Sequence, residues 1–374
     1  MSALALLSLL GLILFLPAFT DGSDVDEEEL TPVEPAVVNG TEGADMLTAQ
    51  SGEIVNGLGG NDTLVTEQDS DGATINGNAG NDILELSGTN ATANGGIGND
   101  TIDSRYILNG VAEGGDGDDE ITFYPLRPSD ALDGTEPEDT SSADGGAGND
   151  IIFAEGFGGD VFGGAGDDQI FAQGALETVD GGDGNDTISY NTSAEGGSLT
   201  LSGGAGDDVI SHVTLNSTPE NLNSLMIDAG EGDDRLLSNA NIGPDANNSG
   251  DTLTGGTGSD SFELTFHHPD LTEPFRDAGV VTTITDFDPD EDVVLLTQGI
   301  ESAQESQVSL PSPAAITSFE IIEAEDGSFT DVTFQATAAD TGSGTVTGTI
   351  RLAGTTGVTA ANIQIGPPNL STTV

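Results

Sequence analysis

The sequence predicts an all-β chain: a right-handed parallel β-roll or β-helix solenoid with coils of about 18 residues, followed by a C-terminal β cap. Three observations predict it. The phrase Gly-Gly-x-Gly-Asn/Asp-Asp-x-Ile/Leu occurs eleven times between residues 40 and 262, and repetition at a near-fixed period marks stacked architectures. Its sixth position places Asp45, Asp62, Asp82, Asp100, Asp119, Asp150, Asp168, Asp186, Asp208, Asp234 and Asp260 at steps of 17, 20, 18, 19, 31, 18, 18, 22, 26 and 26. The recurring step is one coil, and longer steps are coils with insertions.

The third observation is a pair of apolar columns. Two residues after each Asp stand Leu47, Leu64, Leu84, Ile102, Ile121, Ile152, Ile170, Ile188, Ile210, Leu236 and Phe262. Two residues before each phrase stand Val38, Val55, Ile75, Ala93, Ala112, Ala143, Val161, Val179, Leu201, Ile227 and Leu253. Short strands on either side of a turn, each pointing one residue inward, produce both columns by alternation.

The turn's residue types dictate its chemistry. Glycines at the first, second and fourth positions allow positive φ and close backbone approach, so carbonyl oxygens can converge. They include Gly77, Gly80, Gly95, Gly96, Gly98, Gly115, Gly117, Gly146, Gly148, Gly164, Gly166, Gly182, Gly184, Gly204 and Gly206. The Asn/Asp-Asp pair adds a carboxylate, and oxygen-only ligands suit Ca²⁺. With no Cys and three His, zinc or copper is poorly served. Stacked turns would share each ion between two coils.

These residues resemble the RTX or haemolysin-type calcium-binding nonapeptide repeat, as in the serralysin-like β-roll. The resemblance covers residues 40 to 262, with its cleanest copies opening at Gly95, Gly145, Gly163, Gly181 and Gly203. It implies multiple Ca²⁺ ions, with Asp82, Asp100, Asp119, Asp150, Asp168, Asp186 and Asp208 supplying side-chain oxygens and the glycine-rich backbone the rest. Copies at Gly40, Ala229 and Gly255 follow the pattern less closely. The opposite edge reads Gln173-Gly174-Ala175-Leu176 where the fullest family form repeats the phrase. A single ladder of ions is therefore expected.

Charge points the same way. Acidic residues number 66 against five arginines, giving a formal net charge of −61. Such repulsion opposes compaction unless counter-ions bind. Binding coupled to folding is the expectation, at the roughly 10⁻⁴ to 10⁻³ M calcium typical of extracellular modules. Nucleic acid is excluded, because Arg105, Arg127, Arg235, Arg276 and Arg351 make no basic patch.

Residues 1–19 carry an apolar run that reads as a secretory signal or a membrane anchor. Residues 20–36 read as an acidic linker, 37–265 as the roll, and 266–374 as the β cap with a possible type I secretion region, the last by resemblance. Phe123 to Ser142, Val213 to Met226 and Leu237 to Asp251 read as insertions. Asp326-Gly327 predicts a hairpin turn. The alternating Asp286, Asp288, Asp290 and Asp292 do not fit an EF-hand, since its sixth residue would be Glu291 rather than Gly. They read as a peripheral calcium site or an acidic turn.

The chain has no HExxH, GxSxG or cysteine nucleophile. His267 and His268 adjoin Pro269 and Asp270, and His212 stands alone in sequence. No catalytic site is expected. The expected function is that of a secreted or surface calcium-binding structural protein. The alternative is a polysaccharide-binding or polysaccharide-modifying solenoid, which a basic or aromatic-lined groove would favour and which 5% aromatic content without Lys or Trp disfavours.

Overall fold

Strands of the roll stack because each coil leaves one apolar seam that a single coil cannot bury. The structure, a computed structural model, describes residues 35–68, 70–125, 140–192, 199–214, 225–241, 251–267, 277–300, 315–337, 345–366 and 369–370. The signal, anchor and linker readings of residues 1–34 lie outside them. Among the described residues no helix is long and apolar enough to cross a membrane.

Each coil is an incoming strand, the glycine turn, an outgoing strand and a return connection, as in Asp160–Ala165 followed by Gln169–Ala175. Incoming strands pair in parallel from Val37–Asn39 to Asp251–Thr257, and outgoing strands from Met46–Ala49 to Ser261–His267. Equivalent positions face each other: Val161 opposes Val179, Gly164 opposes Gly182 and Ile170 opposes Ile188. Both apolar columns point into the seam, from Val55 and Leu64 onward. Val38 is exposed and Leu47 only partly buried, because they belong to the outermost described coil.

Strands hold more inward positions than the single one expected. Val161 and Gly163 are buried on the incoming strand, and Ile170, Ala172 and Gly174 on the outgoing one. A second inner column therefore runs through Ala49, Thr66, Leu86, Ser104, Phe123, Ala154, Ala172, Tyr190, His212, Ser238 and Leu264.

The expected insertions are shorter than read. Phe123 is fully buried in the strand Glu120–Pro125, and Ser142 opens the strand Ser142–Ala147. Alternation simply continues past the first apolar residue. Val213 and Leu237 likewise lie in strands Val209–Thr214 and Arg235–Asn241. Residues 126–139, 215–224 and 242–250 lie outside the described residues.

Parallel stacking runs one coil past residue 265. Asp277–Ile284 and Val293–Ile300 extend the two sheets. Thr345–Ala353 then adds in parallel to the incoming sheet, and Phe329–Thr337 and Ala315–Glu323 follow antiparallel. The hairpin turns at Asp326-Gly327, with Gly327 at φ 69° and the Ser328 N–H donating to Asp326 Oδ1 at 3.0 Å. Arg351 forms a bidentate pair with Asp331 at 2.9 Å and lies 4.0 Å over the Phe329 ring.

Candidate metal site

The glycine turn is held at nine residues from incoming to outgoing apolar position in each of the eleven repeat coils, as from Val161 to Ile170. The return ranges from eight, Leu47 to Val55, to 22, Ile121 to Ala143. All variation in the sequence step therefore falls on one edge, and the eleven predicted aspartates align along the other.

Backbone conformation explains the glycines. Second and fourth positions have positive φ, as at Gly164 (114°) and Gly166 (129°). A Cβ at Gly166 would overlap the Gly148 carbonyl oxygen of the preceding coil. First positions are extended but crowded: a Cβ at Gly163 would meet both Asp168 Oδ2 and the Gly181 carbonyl oxygen of the next coil. Ala229 departs from glycine at this position.

Two hydrogen-bond ladders of opposite sense run along this edge. Each sixth-position Asp accepts through Oδ1 the backbone N–H of the Asp one coil earlier, as Asp150 N–H to Asp168 at 2.7 Å and Asp168 N–H to Asp186 at 2.8 Å. The series runs from Asp45 to Asp292 at 2.7 to 3.0 Å. Fifth-position side chains do the reverse: the Asp167 N–H donates to Asn149 Oδ1 at 2.8 Å, and the Asn185 N–H to Asp167 Oδ1 at 2.9 Å. The acid thus has a structural role that requires no metal, which the sequence reading did not foresee.

Oδ1 alone, however, does not call for an acid, since an asparagine oxygen would serve. The second oxygen decides the matter. Oδ2 of Asp62, Asp82, Asp100, Asp119, Asp150, Asp168, Asp186, Asp208 and Asp234 is buried without a hydrogen-bond partner. At the two ends of the series it is satisfied. Asp45 Oδ2 accepts from the Thr41 N–H at 2.6 Å and Oγ1 at 2.8 Å, and Asp292 Oδ2 accepts from the Asp288 N–H at 2.7 Å.

Burial pushes the ladder carboxyls from Asp82 to Asp260 up, with the backbone N–H bond opposing and neighbouring carboxylates adding. Asp100, Asp150, Asp186, Asp234 and Asp260 rise to about 6, and Asp119, Asp168 and Asp208 to about 7. Adjacent strands stand ~4.8 Å apart. At an effective dielectric near 20, two charges at that spacing repel by about 3.5 kcal/mol. A column of ionised, unpaired carboxylates would be unstable.

A divalent cation fits this edge. Buried unpartnered oxygens, converging carbonyls and space kept free of Cβ atoms supply an oxygen-only donor set. Among the described residues no three acidic or imidazole side chains cluster as a metal cage. The carbonyls of the glycine turn are the other oxygen donors beside the sixth-position Asp. Calcium would supply the positive charge that the column lacks.

Fold and ladder together define a calcium-binding β-roll. The family model of the RTX calcium-binding nonapeptide repeat matches residues 142–158, 155–188 and 200–211, in four copies. These residues carry RTX-type calcium-binding repeats, and such repeats bind several Ca²⁺ ions. No curated protein matches the chain.

The structure ties to the ladder two residues that the sequence places only in a peripheral calcium site or an acidic turn. Asp292 ends the aspartate series, and Asp286 accepts the Gly255 and Gly256 N–H groups at 3.0 and 2.7 Å. The Asp292-x-apolar spacing was the available signal. His212, alone in sequence, is buried with Nδ1 3.1 Å from Asp251 Oδ2, which also accepts from Ser238 Oγ at 2.6 Å. Serine and histidine both bond the acid, which is not the order of a nucleophile and its base. His267 ends an outgoing strand, and His268 lies outside the described residues.

Proposed function

We propose that this chain is an extracellular or cell-surface structural protein whose roll folds as it binds calcium. The carrying observation is the run of nine buried, partnerless Asp Oδ2 atoms between satisfied ends. Site residues are the aspartates from Asp62 to Asp260 with the glycine carbonyls of their turns. Asp45 belongs to the ladder by alignment, with Oδ2 accepting from Thr41 and its backbone N–H donating to Asp62 Oδ1.

Without metal the charge of −61 favours an open chain, and millimolar calcium outside the cell closes it. Export is part of this reading, by the N-terminal apolar segment or by a C-terminal type I signal. No enzymatic role is proposed. Far-UV circular dichroism of the full chain at pH 7.5 tests the reading. A β spectrum in millimolar calcium should collapse in excess EGTA and return on recalcification. A spectrum indifferent to EGTA would overturn it, and fractionation of cells from medium tests the location.

A further inference from the structure

We propose that a groove on the outer face of the outgoing sheet binds a neutral polysaccharide. Phe153 and Phe171 are register partners in adjacent coils, with rings 5.1 Å apart and 12° from parallel. They are 39% and 40% exposed, in a chain with only 5% aromatic residues. Two residues further along each strand stands a polar outward column of Glu155, Gln173 and Asn191, with Tyr124 at its end. The two columns wall a groove of about 180 Å³ that crosses several coils.

Its chemistry selects the occupant. The aromatic column drops to Ser189 beyond Phe171, which leaves one face of that ring open for the C–H face of a pyranose. Groups around this face are Gln173, Ser189 and Asn191, uncharged donors and acceptors suited to hydroxyls. An anion finds no counter-charge in the lining, whose one carboxylate is Glu155, and the net charge repels polyanions at long range. Because the groove runs along the stack, it fits an extended chain better than a single sugar. The groove requires only a folded roll, so a β spectrum in calcium separates failure of this proposal from failure of the calcium reading.

Affinity electrophoresis in calcium, with a soluble β-glucan, a galactomannan, a xylan and the polyanion alginate in the gel, provides the test. Retardation by at least one neutral glycan is expected, and none by alginate. Phe171→Ala should weaken it about tenfold or more, and Gln173→Ala by less, both with an unchanged far-UV spectrum. No retardation by any neutral glycan, stronger retardation by alginate, or an undiminished Phe171→Ala variant would overturn the proposal.

Discussion

The two edges of the roll obey different rules. At the glycine edge nine residues separate the flanking apolar positions in each of the eleven repeat coils, while the return edge spans eight to 22. The glycine edge is constrained because each turn must satisfy the turns on both sides. Its fifth and sixth residues bond neighbours in opposite directions, and Oδ2 is buried with no hydrogen-bond partner in the protein. The return edge need only bring the chain back to register, and loop length changes closure entropy slowly. Specificity of fold and freedom to vary are thus placed on opposite sides of one solenoid.

The sharpest way to break this comparison is to lengthen each edge by one residue. A Gly inserted after Ala165 should slip the outgoing strand against its neighbours and turn Ile170 and Ala172 outward. Loss of cooperative unfolding in calcium is expected. The same Gly inserted between residues 195 and 196, in a return already four residues longer than that after Ile170, should cost well under about 0.6 kcal/mol. Urea titration distinguishes them, and equal costs would show that the edges are not different in kind.

Acidity gives the next largest effect. Folded-state pKa values of about 6 to 7 lie above the ordinary carboxylate value, so the metal-free roll takes up protons on folding. Its stability is therefore present below about pH 4 and falls as pH rises through 6 to 7. Dialysed, metal-free protein should gain β structure on acidification from pH 7.5 to 5. Calcium-loaded protein should do the opposite, because protons displace the ion. A metal-free protein that loses structure over this range would mean that the carboxylate column is not what holds it open.

Much of this was legible in sequence because the glycine edge is a fixed text. Gly166 and Asp168 are required by local φ and by a bond repeated in each coil, so identity and spacing recur together. The return edge left no such record. Phe123, Tyr190 and His212 share one inner column but have no common residue type, since the varying returns change the space available there. The exposed Phe153–Phe171 pair was equally hidden, because only the register of two coils makes neighbours of residues 18 apart. The structural role of Oδ1 was also unreadable, since spacing shows that an acid recurs but not which atoms it bonds.

Asp168 separates the two roles of the ladder. Asp168→Ala leaves the Asp150 N–H without its acceptor and should cost about 1–3 kcal/mol in calcium. Asp168→Asn keeps an oxygen for that bond and puts an amide beside the Gly181 carbonyl. It should raise metal-free stability at pH 7.5 by about 1 kcal/mol while reducing the calcium bound per chain in calorimetry. If Asp168→Asn binds as much calcium as the native chain, the side chain is not a ligand.

The smallest effect asks whether the edges differ in chemistry or only in conformation. Leu58 sits at the second position of its turn with φ 79°, and Tyr106 sits with φ 62° at an irregularity near the return end of the outgoing strand Thr101–Leu108. Both are exposed, so substitution changes little packing. An L side chain in this region costs roughly 1–2 kcal/mol, offset in part by the roughly 0.5–1 kcal/mol entropy penalty of glycine. Leu58→Gly and Tyr106→Gly should each stabilise the loaded roll by about 0.5–1 kcal/mol on that account. Relief of backbone strain predicts equal gains at both edges and no change in calcium affinity. If Leu58→Gly alone also tightened calcium binding, the second-position backbone would be tied to the ion and not merely to the turn.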